Sequence, residues 1–331
     1  MKTIRIPDTT LDVSSICLGT GEIGTTVAGE DAFALLDSYL EQGGNFLDTA
    51  HNYGDWVKDA PRSASEKTIG AWMRSRGNRD KIILATKGAH WNFDAPDVPR
   101  LSRGDIEADL NGSLESLGTD CIDLYWLHRD DPNRPVEDIL ETLNDQVTAG
   151  KIRYFGDSNW KTERLRAAQN HDGKAGLHGF VADQVLWNAA VLAGPPYGDP
   201  TTGWMDEKRY AYHLETGLAM LAYQSQAFGL FQRMQAGTLD QMNPGFRGFY
   251  VQGATEQRYR VMTQIMAETG LTITQVLLGY LLSQPFVTIP IVGCHSLPQL
   301  KDSLTAADVR LTTTQVTAIT EAGGPGYQPA L

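Results

Sequence analysis

The sequence predicts an α/β fold of the (β/α)8 barrel type, on three observations. Eight short apolar runs bounded by breakers recur along the chain, helical patterns lie between them, and the runs are near-continuous rather than alternating. Continuous apolarity marks strands buried on both faces, which means a parallel sheet. Eight strand–helix alternations are the count of a closed barrel, with an open doubly wound sheet as the main rival. The 331 residues suit one barrel, and no Gly/Pro/Ser-rich linker divides them, so residues 1–331 read as a single domain.

The opening TIRIPDTTLDVSS reads as a small hairpin that caps the barrel bottom. The first barrel strand is Ile16–Thr20, followed by a helix over Asp31–Gln42 that turns Phe33, Leu35, Leu36 and Leu40 to one side. The second is Asn45–Ala50. Its helix spans Ser63–Arg74 and opens on Ser63 and Glu66, the spacing of a capping box. The third, Ile82–Gly88, precedes Ser102–Leu117, where Ile106, Leu110, Leu114 and Leu117 fall at helical spacing. The fourth, Ile122–His128, leads to Pro135–Thr148, with proline in the first turn. Arg153–Asn159 and Val181–Asn188 are the fifth and sixth. Ala189–Thr216 then reads as an extended loop, of a length that usually serves function. The seventh is Leu218–Gln224. Helices over Glu256–Thr269 and Thr272–Ser283 precede the eighth, Val287–Gly293, and LPQLKDSL follows it.

A net charge of −12 spread along the chain disfavours nucleic acid and anionic membranes as partners, since both would repel it. No run of about eighteen apolar residues suggests a membrane helix, and MKTIRIPDTTLDV has no apolar signal region. Cys17, Cys121 and Cys294 are far apart and lie in or beside apolar runs, so they read as reduced thiols of a cytoplasmic protein. A small molecule is the expected partner. Nothing in the sequence chooses between a monomer and a homo-oligomer.

Barrel active sites sit at the C-terminal ends of the strands. There the second strand offers Asp48, with Tyr53 just beyond. The third offers Lys87, the fourth His128, and the fifth Ser158 and Asn159; the sixth carries Gln184 and ends at Asn188, and the seventh offers Tyr223 and Gln224. A lysine at the end of a buried strand needs a partner, and Asp48 supplies one. The ammonium should lower the Tyr53 phenol from its ordinary pKa of roughly 10. A phenol so tuned can exchange a proton with an oxygen, and His128 can bond the same oxygen. Each residue taken singly has a structural explanation. On neighbouring strands of one barrel they make a proton-transfer site.

These residues carry a resemblance. DTAHNYG, ATKG, IDLYWLHRDDP, GKIRYFGDSNW, QVLWN and IPIVGCHSLPQLKDSL, in that order between Gly19 and Ser303, resemble the signature segments of the aldo-keto reductases. The resemblance implies NADPH, or else NADH, lying extended over the barrel top without a Rossmann glycine motif. It implies Tyr53 as general acid/base, Lys87 and Asp48 as its tuning pair, and His128 as the group that orients the carbonyl. Ser158, Asn159 and Gln184 would hold the carboxamide, and Tyr223, beside Gln224, would stack on the nicotinamide. Gly19 and Thr20 would lie beneath the same cofactor end. Ser225, Gln226 and Gly229 would approach the pyrophosphate. Gly293, His295, Ser296, Gln299 and Ser303 would meet the cofactor tail. The family often places Arg or Lys at the positions of His295 and Ser296, so a bidentate phosphate clamp is missing here. Ser296, Gln299 and the helix start near Pro298 remain to hold a phosphate.

The expected rim holds Trp56, Trp91, Arg129, Asp130, Trp160, Trp187 and Tyr250. Rings with hydrogen-bonding neighbours suit a sugar-like or polyol carbonyl substrate. Two other classes compete: a cofactor-binding regulatory protein with little turnover, and a metal-dependent barrel hydrolase using His51 or His90. The hydrolase usually needs clustered His and carboxylate ligands, and no H-x-H follows the first strand.

Overall fold

The eight apolar runs become eight parallel strands closed into one barrel in the computed structural model, which describes residues 1–324, those at 172–175 by backbone alone. A two-stranded hairpin comes first, β1 (Thr3–Arg5) and β2 (Asp12–Ser14). The barrel strands follow as β3 (Cys17–Gly19), β4 (Phe46–Asp48), β5 (Ile83–Gly88), β6 (Ile122–Leu127), β7 (Ile152–Ser158), β8 (Ala182–Leu186), β9 (Ala219–Tyr223) and β10 (Thr288–Gly293). Sequence neighbours pair all the way round, and β10 closes on β3. The outer helices are α1 (Gly29–Glu41), α2 (Ala64–Arg76), α3 (Arg103–Leu117), α4 (Val136–Thr148), α5 (Thr162–Ala175) and α6 (Glu207–Thr216). They continue as α7 (Leu230–Ala236), α8 (Pro244–Arg247), α9 (Gln252–Thr269), α10 (Ile273–Leu282), α11 (Leu297–Leu304) and α12 (Thr313–Glu321). No single helix among the described residues is long and apolar enough to cross a membrane.

The hairpin plugs the barrel. Ile6, Leu11 and Val13 join Phe46, Leu124, Trp126 and Ile289 in the interior cluster, all fully or almost fully buried. Large rings there leave no pore, and truncating one such as Phe46 to alanine costs about 3–5 kcal/mol through lost contacts and a cavity. With the lower end filled, a ligand reaches the barrel only from the strands' C-terminal ends.

Three expectations change. The Ser63–Glu66 capping box does not form. Ser63 takes φ 55°, its Oγ donates to the His51 carbonyl at 2.6 Å, and Glu66 is drawn inside, where it accepts from Thr86 Oγ1 at 2.6 Å. A buried acid and a capping acid share one spacing. The loop after β8 ends at Asp206, whose side chain accepts from Arg209 N and starts α6. The inward residues of α6 are Arg209, Tyr212 and His213, so it carries no apolar stripe to read. Helix α5, unassigned from sequence, fills the gap between β7 and β8.

Candidate active site

The Gly19↔Asp48 and Asp48↔Ala85 pairings set the ends of β3 and β4 side by side and beside the middle of β5. Beyond β4 the ladder continues, with Thr49 N donating to Ala85 O at 2.9 Å and His51 N to Lys87 O at 2.8 Å. The chain then folds back, Tyr53 N bonding Ala50 O at 3.1 Å, and Gly54 takes φ 102°, where a Cβ would lie 2.7 Å from that of Ala64. Only glycine suits such a turn. It brings the Tyr53 ring back over the strand it left.

Lys87 is 1% exposed, and its ammonium finds an acceptor for all three of its N–H groups. They are Asp48 Oδ2 at 2.5 Å, Thr49 O at 2.8 Å and Tyr53 Oη at 3.0 Å. The other oxygen of Asp48 accepts from Gln184 Nε2 at 3.1 Å. A buried pair with every donor matched avoids the desolvation penalty of a lone charge. Burial lowers the ammonium, but Asp48 and Tyr53 outweigh it and hold the Lys87 pKa above its ordinary value. Tyr53 corrects the expected acidification. Burial raises the phenol more than Lys87 lowers it, so its pKa stands above the ordinary 10.0. The hydroxyl therefore rests protonated at neutral pH, with a cation beside it ready for the anion.

His128, at the end of β6, faces Tyr53 with ring centroids 6.0 Å apart and His90 at 4.7 Å. Burial first, then His90, Arg129 and Lys87, holds its pKa well below 6.5, so the ring is neutral. Its Nδ1 is buried with no partner among the described residues.

The cofactor side is built from neutral groups. Asn159 Nδ2 donates to Ser158 Oγ at 3.0 Å and to His128 O at 3.2 Å, while Asn159 Oδ1 accepts from Tyr223 Oη at 2.8 Å. The Ser158↔Gln184 pairing places Gln184 beside them. Gln224 Nε2 bonds Tyr197 Oη at 3.1 Å, Ser225 Oγ bonds Ile291 O at 2.6 Å, and Gln226 Nε2 bonds Ser303 Oγ at 2.8 Å. Open space surrounds Gly229 and Gly293. Gln299 Oε1 accepts from His295 N at 2.8 Å, and Ser296 caps α11. Gly19 ends β3, while Thr20 is fully buried and donates its hydroxyl to Asp48 O at 3.0 Å. Amides and hydroxyls beside the Tyr223 ring suit a carboxamide and a flat heterocycle, so this donor set fits a nicotinamide nucleotide.

The rim departs from expectation in three rings. Trp160 is fully buried, its indole packed on Phe180 at 5.1 Å and under the Arg164 guanidinium at 5.0 Å, so it has no face for a substrate. Trp187 packs on Phe286, and Tyr250 is buried beside Asn188. Asp130 is engaged by Arg164 at 3.0 Å. Trp56 and Trp91 stay near the mouth, Trp56 nearly half exposed and packed against Phe93 at 6.4 Å, and Phe93 against Trp91 at 5.3 Å. Arg129 bridges to Asp199 at 3.3 Å and Thr201 at 3.1 Å, tying the long loop to β6. Sequence reading passed over Phe93 and Tyr197, both about half exposed. Tyr197 lies in a Pro/Gly loop whose path only the fold reveals. His51 bonds Glu66 and His90 bonds the Trp91 carbonyl, so both imidazoles already have protein partners.

A sequence profile of the Aldo/keto reductase family matches residues 15–323. The chain is 32% identical over 311 residues to an uncharacterized oxidoreductase, YrpG, of Bacillus subtilis, covering 92% of this chain and 90% of that one. It is 29% identical to norsolorinic acid reductase B of Dothistroma septosporum, over 95% and 79% of the two chains. It is 27% identical to an NADP(+) aryl-alcohol dehydrogenase of Phanerodontia chrysosporium, over 94% and 82%. The chain belongs to the aldo/keto reductase family of oxidoreductases.

Proposed function

We propose that this chain reduces an aldehyde or ketone to its alcohol with NADPH, Tyr53 acting as proton donor. One observation carries the reading: a single buried ammonium, Lys87, bonds both Asp48 and the Tyr53 hydroxyl at the barrel mouth. The nicotinamide, when bound, supplies the hydride. The carbonyl oxygen sits between the Tyr53 hydroxyl and the neutral His128 ring, which orients it by one N–H. As negative charge grows there, Tyr53 gives up its proton and Lys87 stabilises the tyrosinate. Asp48 keeps Lys87 in place and Gln184 keeps Asp48 in place. Ser158, Asn159 and Gln184 hold the carboxamide, Tyr223 and Gln224 face the ring, and Gly19 lies beneath it. Ser225, Gln226, Gly229, Gly293, His295, Ser296, Gln299 and Ser303 follow the rest of the cofactor. The NADP(+) in one relative's name favours NADPH, while the absence of Arg or Lys at positions 295 and 296 leaves room for NADH.

For the substrate, Trp56, Phe93 and Tyr197 present exposed rings around the mouth. Such walls favour a carbonyl on a flat, partly apolar body, which agrees with the aryl substrate in one relative's name. Arg129, Asp199 and Trp91 keep a sugar-like or polyol carbonyl as the second reading. We place the protein in the cytoplasm, as one domain over residues 1–331. Titration with NADPH and NADH, followed by turnover of benzaldehyde and of glyceraldehyde, tests all of this. Saturable cofactor binding with faster benzaldehyde reduction is expected. No nicotinamide binding refutes the enzyme, and a preference for glyceraldehyde reverses the substrate order.

A further inference from the structure

His90 lies at the start of the loop after β5 and is 7% exposed. Its Nδ1 is 2.7 Å from the Trp91 carbonyl, an atom that can only accept, so Nδ1 carries the proton. Burial, then Arg129, pushes its pKa down to about 4. The ring is therefore neutral at pH 7, and Nε2 is a bare lone pair with no protein partner among the described residues. His90 lines a cavity of about 50 Å³ together with Asn52, Trp91 and Phe93. Asn52 Oδ1 is also buried without a partner. The cavity's cations are already engaged: Arg100 bonds Asp109 at 2.7 Å, and Arg62 lies 3.4 Å from Asp55. The His90 ring also packs edge-on to His128, 4.7 Å between centroids, so cavity and carbonyl seat share this wall.

We propose that His90 is a specificity-determining acceptor that recognises a hydroxyl one or two carbons away from the carbonyl carbon. The favoured substrates are then hydroxy-carbonyls, either α-hydroxy aldehydes and ketones or ortho-hydroxyaryl aldehydes and ketones. This rests on the reductase reading, because Tyr53 and His128 must hold the carbonyl oxygen and so free the neighbouring hydroxyl to donate to Nε2. A site built to accept a hydroxyl proton discriminates against a ligand that lacks one, since its acceptor is left unpaired.

The test compares kcat/KM within matched pairs: salicylaldehyde against 2-methoxybenzaldehyde, and glycolaldehyde against methoxyacetaldehyde. Each pair keeps the oxygen and removes the donor. The hydroxyl member should win in at least one pair, and His90→Phe should shrink that ratio about tenfold. His90→Gln, which retains an acceptor, should restore part of it. Ratios cancel any general loss of turnover, and His90→Gln against wild type decides the matter if His90→Phe fails to fold. The first pair winning alone assigns an aryl substrate, the second alone an aliphatic one. Equal rates within both pairs, or a ratio unchanged in His90→Phe, overturn the proposal and leave the reductase reading standing. No reduction of any of the four overturns that reading, and the proposal with it.

Discussion

Two of the places where the molecule buries charge make a contrast, one opening on the barrel mouth and one sealed. At the mouth, Asp48 and Lys87 form a buried pair that turns one of its N–H groups outward, to the hydroxyl of Tyr53. Behind β7 and β8, Asp157, Asp183, Arg209 and His213 form a second cluster, each at most 3% exposed. There Arg209 bonds Asp183 and the Trp160 carbonyl, and His213 joins Asp183 at 3.0 Å to Leu218 O at 2.8 Å. Those bonds all end on other buried groups of the protein. Both clusters obey the rule that buried charges are paired. Only the first points a donor at a group that meets solvent.

The largest expected effect breaks the mouth alone. Tyr53→Phe should lower kcat by about 10²–10⁴-fold, the usual contribution of a positioned acid. Cofactor affinity and melting temperature should stay near wild type. Steady-state kinetics beside a thermal melt checks this, and a large loss of stability would make Tyr53 scaffold as well. The second effect breaks the sealed cluster. Arg209→Met leaves Asp183 without its guanidinium and should cost about 3–5 kcal/mol, read from denaturant midpoints. If unfolding is unaltered, the cluster is not what binds α6 to the barrel.

A third prediction sharpens the contrast through pH. Burial, then the charge of Asp183, holds the Asp157 carboxyl well above its ordinary 3.8, so it is protonated in the fold. The unfolded chain releases that proton once pH passes the ordinary value. The folded state then binds more protons, and this group's contribution to stability falls as pH rises. Asp157→Asn carries no such proton. Its stability relative to wild type should therefore improve between about pH 4 and pH 8, measured by denaturant midpoints. A gap independent of pH would mean that Asp157 is ionised. The smallest effect returns to the rim, where Trp56→Ala should lower kcat/KM for benzaldehyde by about tenfold or less and leave stability unchanged.

The mouth was legible in sequence because most of its groups close an apolar run. Asp48, Lys87, His128 and Ser158 stand at or beside the residue where a barrel strand stops, and Gln184 lies within the apolar run of β8. The sealed cluster was not, because Arg209 and His213 take the inward positions of α6 that apolar residues normally fill. Trp160 misled for a backbone reason: Asn159 takes φ 67°, and the chain leaves β7 with the indole turned under Phe180 instead of toward the mouth. The role of His90 depends on His128, which arrives from the neighbouring strand thirty-odd residues later. The expected acidification of Tyr53 counted the lysine and not the burial, which proves the larger of the two.

The pH dependence of kcat/KM for carbonyl reduction at saturating cofactor tests the central claim most directly. With the phenol held above its ordinary 10.0, the rate should stay level through neutral pH and fall only as the Tyr53 hydroxyl ionises, and Tyr53→Phe should lose that limb along with most of its rate. A wild-type rate that falls between about pH 6 and 8, in a limb that Tyr53→Phe keeps, would assign the proton to another group and contradict the account.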